Sequence, residues 1–157
     1  MWRLSHTVSI PESATQVARS TYGENAAPEI LSEFGFIDAE AFGFAICPPS
    51  ITGECRSSNK GVVEIFAYSF ETSKGASQYF RGDEPAKPGN LTGVPEGRLV
   101  GSAETTCPAT ACATAQFGYR VGKSVILGSA TCGFATAQDC ESLMGSIGSS
   151  LYRAMKE

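Results

Sequence analysis

A chain of 157 residues suits a single domain with an ordinary core. Its 42% hydrophobic content argues for a globular chain rather than a disordered one. A net charge of −4 without any basic stretch argues against nucleic-acid binding, which needs clustered Lys and Arg, and no apolar run is long enough to cross a bilayer as a helix.

The first 35 residues read as two short helices. Residues 1–8 are expected to be loose or to pair as an edge segment. Ser13 can cap a turn carrying Ala14, Val17, Ala18 and Tyr22, with Gly23 ending it. Pro28 suits the first turn of a second helix bearing Ile30, Leu31 and Phe34, ended by Gly35.

The apolar stretch Phe36 to Cys47 ends as a strand, and Pro48 to Gly61 is a loop rich in Pro, Ser and Gly. Val62 to Phe70 gives the clearest strand signal. Both of its faces are largely apolar, as in a central strand covered on two sides. Thr72 or Ser73 then caps a short helix with Ala76, Tyr79 and Phe80, closed near Gly82. Asp83 to Gly97, dense in Pro and Gly, reads as a long surface loop of the kind that carries function.

Arg98 to Cys107, Cys112 to Val121 and Ser124 to Thr131 read as three antiparallel strands. Gly122-Lys123 supplies the second turn, with glycine first as a type II′ turn requires. A final helix from about Ala137 to Met155 shows an apolar stripe at Leu143, Ile147, Leu151 and Met155. Gly145 and Gly148 weaken it unless they allow close approach to the sheet. The order is α-α-β-β-α-β-β-β-α. It predicts a single α+β domain over 1–157, with a mainly antiparallel sheet of about five strands, a long C-terminal helix and short helices mostly on one face.

Six cysteines fall in three short intervals: Cys47 to Cys55, Cys107 to Cys112, and Cys132 to Cys140. Nearest-neighbour pairing gives three local disulfides, each contributing about 2–3 kcal/mol in the chain-entropy model. Zinc is the competing reading. Only Cys107 to Cys112 approaches knuckle spacing, and the sole histidine, His6, is far away in sequence, so no metal or cofactor is expected. Disulfides imply an extracellular, periplasmic or cell-surface address. The sequence opens Met1-Trp2-Arg3-Leu4-Ser5-His6, with no apolar stretch of the signal-peptide kind. A signal or anchor is therefore expected to lie outside it.

Chemistry is sparsely marked. His6 would have to serve any histidine-dependent site, yet its segment lacks a clear anchor. Ser57-Ser58-Asn59-Lys60 matches Ser-x-x-Lys without the motifs that accompany it in enzymes. Arg81-Gly82-Asp83 spells an adhesion tripeptide at a helix end, where glycine already has a capping role. Asn90-Leu91-Thr92 is a glycosylation sequon, meaningful only in a cell that glycosylates.

Carboxylates offer more. Glu64, flanked by Val63 and Ile65, would be a raised-pKa acid if buried, with Glu104 or Asp38 as a partner. The plainer reading puts Glu64 at a wet strand end or beside Arg98 or Arg120. The dense aromatics are mostly core, but Phe36, Phe42, Phe44, Phe66 and Tyr68 can also line an apolar cleft between layers.

Three functions follow. The first is a non-catalytic, secreted or surface-tethered binding domain for a small ligand or protein partner, its stapled loops losing little entropy on binding. The second is a small extracytoplasmic hydrolase using carboxylates. The third is a self-assembling surface or filament subunit, joined by strand addition.

Overall fold

The computed structural model describes residues 3–47, 61–82, 88–104, 112–133 and 136–157, and for 3–12, 102–104 and 112 it describes the backbone alone. The elements run β1 (Arg3–Glu12), α1 (Ala14–Tyr22), a 3₁₀ segment (Pro28–Phe34), β2 (Phe36–Cys47), β3 (Gly61–Phe70), α2 (Ser73–Gly82), β4 (Gly89–Asn90), β5 (Arg98–Glu104), β6 (Cys112–Val121), β7 (Ser124–Gly133) and α3 (Ala137–Lys156). All the described strands pair antiparallel in one sheet, ordered β1-β2-β3-β7-β6-β5-β4. The α+β class, the antiparallel sheet and the long C-terminal helix are as expected.

Local sequence explains the ends of these elements. Ser13 and Gln16 form a reciprocal capping box: the Ser13 amide donates to Gln16 Oε1 at 2.9 Å, and the Gln16 amide donates to Ser13 Oγ at 3.2 Å. Thr136 caps α3 by accepting from the Asp139 amide at 3.1 Å. Gly122 takes φ 56° in the β6–β7 turn, a backbone state that favours glycine.

Three expectations need correction. Among the described residues the sheet has seven strands rather than about five. One of the extra strands is β1, which pairs with β2 from Arg3 to Glu12 at the edge of the sheet, so of the two expectations for residues 1–8, loose or edge-paired, the structure shows the second from Arg3 on. Leu4, Val8 and Ile10 alternate with polar residues, a period-two signal interrupted at His6. The other, β4, has two residues and no readable pattern. The Pro28 segment is 3₁₀ rather than α-helical, and Gly35 at φ 67° ends it.

The third correction concerns the layers. Helices cover both faces of the sheet, not mostly one. On the first face, α3 packs Cys140 and Met144 against Val63, Ile65, Ala115, Phe117, Tyr119 and Ile126. On the second, α1, the 3₁₀ segment and α2 bring Val17, Ala18, Leu31, Ala76, Tyr79 and Phe80 onto Tyr68, Phe70 and Val125. The apolar character of both faces of β3 required this. Alternate residues of one strand point to opposite faces, so each face needs its own cover.

Close approach of α3 relies on glycine. A Cβ on Gly148 would sit 2.9 Å from the Phe117 ring, and one on Gly128 of β7 would overlap the same ring from the sheet side. Phe117 therefore lies between two glycines, which explains why a helix containing Gly145 and Gly148 is retained.

Tyr119, fully buried in this core, gives a pH-dependent expectation. Burial pushes its phenol from 10.0 up to about 12. The unfolded chain releases that proton first. Stability should hold below pH 10 and fall between about pH 10 and 12, at up to about 1.4 kcal/mol per pH unit before allowance for relaxation. Alkaline urea titrations of the protein and of Tyr119→Phe would check this. The variant should show a shallower fall in that window.

Candidate functional site

The second face is only partly covered. Along β3, Tyr68 and Phe70 are buried, Phe66 is half-buried, and Glu64 and Val62 are exposed. Residues paired across an antiparallel ladder share a face, so the register names the rows of this surface. One row reads Gly43, Glu64, Ser129, Gln116, Val100 across β2, β3, β7, β6 and β5. The next reads Ala41, Phe66, Leu127, Gly118, Arg98. A third, with Tyr68, Val125 and Arg120, runs toward the part beneath the helices.

Where α1 and α2 stop, a groove of about 430 Å³ opens over the first two rows. Its floor is Glu64, Ser129 and Gln116 beside Phe66, Leu127 and Gly118, and its wall includes Ser20, Thr21 and Phe80. The wall is cross-linked: Thr21 Oγ1 and the Tyr79 hydroxyl are hydrogen-bonded, joining α1 to α2. Arg98 is held twice. Its Nη1 donates to the Phe80 carbonyl at 2.8 Å, and its guanidinium lies 3.7 Å from the centre of the Phe80 ring. A cation at the last turn of α2 also complements the helix dipole. Gly118 keeps the floor low, since a Cβ there would press on Leu127 at 3.0 Å and Phe80 at 3.2 Å.

The candidate residues from the sequence are distributed unevenly. Glu64 lies in the groove and is exposed, whereas Val63 and Ile65 beside it are buried on the other face. Its position matches the wet strand end. Among the described residues the ion pair of Arg120 is with Glu96, at 3.9 Å, and none joins Glu64 to Arg98. Glu104 belongs to β5, four residues beyond Val100, which is level with Glu64 across three strand spacings. That separates the two backbones by about 19 Å. Asp38, exposed on β2, is five residues beyond the partner of Glu64, or about 17 Å along the strand. Paired-carboxylate chemistry needs under about 10 Å.

The five aromatics do not form one cleft. Phe66 and Tyr68 line the groove. Phe36 packs beneath the helices, its ring centre 5.8 Å from that of Phe70. Phe42 and Phe44 pack with the core under α3 on the opposite face. His6 pairs by backbone with Ala45. Arg81 and Gly82 end α2, whereas Asp83 and the Ser57 to Lys60 motif lie outside the described residues.

Of the three expected bridges, Cys132–Cys140 is formed, with Cα atoms 5.9 Å apart. Cys47 is also disulfide-bonded; Cys55 and Cys107 lie outside the described residues, and for Cys112 only the backbone is described. Among the described residues no cluster of His, Cys, Asp and Glu assembles to hold a metal, and no helix is long and apolar enough to cross a membrane.

Sequence reading missed Arg98, Gln116, Leu127 and Ser129 as groove residues. Period-two alternation could have grouped residues within each strand. The pairing of β3 with β7, rather than with the next strand in sequence, had no local signal.

No protein-family model and no curated protein matches the chain. Among solved structures it is similar to the extracellular domain of PknH from Mycobacterium tuberculosis, at 11% identity and a TM-score of 0.44, over 99% of this chain and 86% of that one. The likeness is too remote to transfer a ligand or an activity.

Proposed function

We propose that this is an extracytoplasmic, non-catalytic binding domain whose ligand is a small molecule seated in the groove of the half-covered sheet face. The carrying observation is the groove itself: about 430 Å³, part apolar and part polar, on a rigid sheet with a cross-linked wall. Pockets of this size with a few placed polar groups are the usual form of small-ligand sites. Building them on strands and helix ends limits the ordering cost of binding. The Cys132–Cys140 bridge supports an oxidising address. Backbone separations of about 17 Å along the strand to Asp38 and about 19 Å to Glu104 favour binding over two-carboxylate hydrolysis at Glu64.

Ser129→Trp tests the site. Ser129 is half-buried in the middle of the polar row, and an indole there would fill the groove. A fragment screen read by amide NMR should give ligands that shift Gln116, Gly118, Leu127 and Ser129. The variant should lose them by about 100-fold, with stability changed by no more than about 1 kcal/mol. Ligands that map elsewhere, or that bind the folded variant unchanged, would refute the assignment.

A further inference from the structure

The chemistry of the floor points to a class of ligand, and this step rests on the binding reading just given. Glu64, Ser129 and Gln116 occupy adjacent strands at one level. Strand spacing puts the carboxylate-bearing and amide-bearing positions about 10 Å apart, with a hydroxyl between them. One row over, about 7 Å along the strands, the floor changes to Phe66, Leu127 and the bare backbone of Gly118, with the Phe80 ring as wall. The groove is thus divided lengthwise into a hydrogen-bonding strip and an apolar strip.

Its charge is balanced. Glu64 is the one carboxylate and Arg98 the one guanidinium among the residues that line it. Arg98 uses Nη1 on the Phe80 carbonyl and retains further N–H donors. No described side chain forms an ion pair with either residue.

Several ligand chemistries fit poorly. An acyl chain lying along the floor would strip water from a carboxylate and an amide and return no hydrogen bond, at a cost of a few kcal/mol. An anion would meet Glu64, and an organic cation would meet Arg98. A neutral molecule carrying hydroxyls along one edge and C–H groups on a face meets both strips. A carboxylate accepts from two neighbouring hydroxyls, a primary amide donates to one and accepts from another, and Ser129 serves either way. The apolar face of a pyranose ring would pack on Phe66 and Leu127, both half-buried. The polar strip, about 10 Å long, matches two linked rings.

We infer that the groove binds a neutral glycan, with a disaccharide unit filling it: Glu64 and Gln116 hold hydroxyls of successive rings, and the strip of Phe66 and Leu127 receives their C–H faces.

Amide NMR titration of the intact protein provides the test. One arm uses neutral disaccharides of glucose, mannose, galactose and N-acetylglucosamine, and the other uses dodecanoate as an apolar probe. At least one disaccharide should shift Ser129, Gln116 and Leu127 and bind at least 10-fold more tightly than its monosaccharide. Glu64→Ala should weaken that binding about 10- to 100-fold, the range for hydrogen bonds to a charged group. Exposure of Glu64 keeps the variant folded, as its unchanged spectrum away from the groove would show. Groove shifts with dodecanoate and none with any disaccharide would overturn the glycan class while leaving the binding site in place. Shifts confined to other surfaces, or none in either arm, would overturn both. Disaccharide binding unaffected by Glu64→Ala would also overturn the inference.

Discussion

Gly75→Ala is expected to cost about 3 kcal/mol of stability, seen as a melting temperature lower by about 6–12 °C for a domain of this size. The substitution is usually mild or favourable inside a helix, where alanine is preferred by about 1 kcal/mol. Here packing reverses that preference. Gly75 is buried in the first turn of α2, and its amide donates to Thr72 Oγ1 at 3.0 Å. A Cβ added there would overlap the carbonyl oxygen of Phe34 and lie 2.9 Å from the carbonyl carbon. Those are backbone atoms, so no rotamer change relieves the clash. The same junction is fixed by the Glu71 amide, which donates to the Gly35 carbonyl at 2.8 Å. Relief requires moving α2, which carries buried Tyr79 and Phe80 and forms part of the groove wall. Gly82→Ala is the control, because a Cβ there meets nothing within 4 Å. Equal stabilities for the two variants in urea denaturation would show that the tight α2 junction is wrong.

Local chemistry was legible where it acts within a few residues. Ser13 with Gly23, Pro28 with Gly35, and Gly122-Lys123 each mark a boundary, because capping and turn geometry are set by the residues themselves. The central role of Val62 to Phe70 was also legible, since two apolar faces need two covers. Such a strand is incompatible with helices on one face only. Strand order was not legible. The groove exists because β7 returns to lie against β3, placing Ser129 beside Glu64 although they are far apart in sequence. That pairing is a property of the whole sheet, so Glu64, Phe66 and Tyr68 are legible in the sequence as site residues while those of β5, β6 and β7 are not. Aromatic density groups Phe42 and Phe44 with Phe66 because it carries no information about faces. Register does, and it puts Phe44 opposite Val63 and Phe42 opposite Ile65, on the face that α3 covers.

Cys132→Ala with Cys140→Ala is expected to lose about 3 kcal/mol. The bridge spans a sequence separation of 8, for which loop-closure entropy in the unfolded chain gives about 2.5 kcal/mol. Both cysteines are fully buried, so the alanines also leave a small void. The bridge ties the end of β7 to the first turn of α3, where the Cys140 amide donates to the Thr136 carbonyl at 3.1 Å. Its loss should therefore appear first as faster hydrogen exchange in the opening turns of α3, before the sheet loosens. Burial also predicts kinetics. A thiolate reagent cannot reach the sulfurs in the folded protein, so reduction by dithiothreitol should require opening and run far slower than for an exposed disulfide. A loss of this size is a large share of the 5–15 kcal/mol typical of domains. It makes the fold itself sensitive to compartment: in reducing buffer, which also opens the bridge of Cys47, the melting temperature should fall by at least about 6 °C. A domain equally stable with and without the bridge would remove the physical reason for an address outside the cytosol, whatever the groove binds.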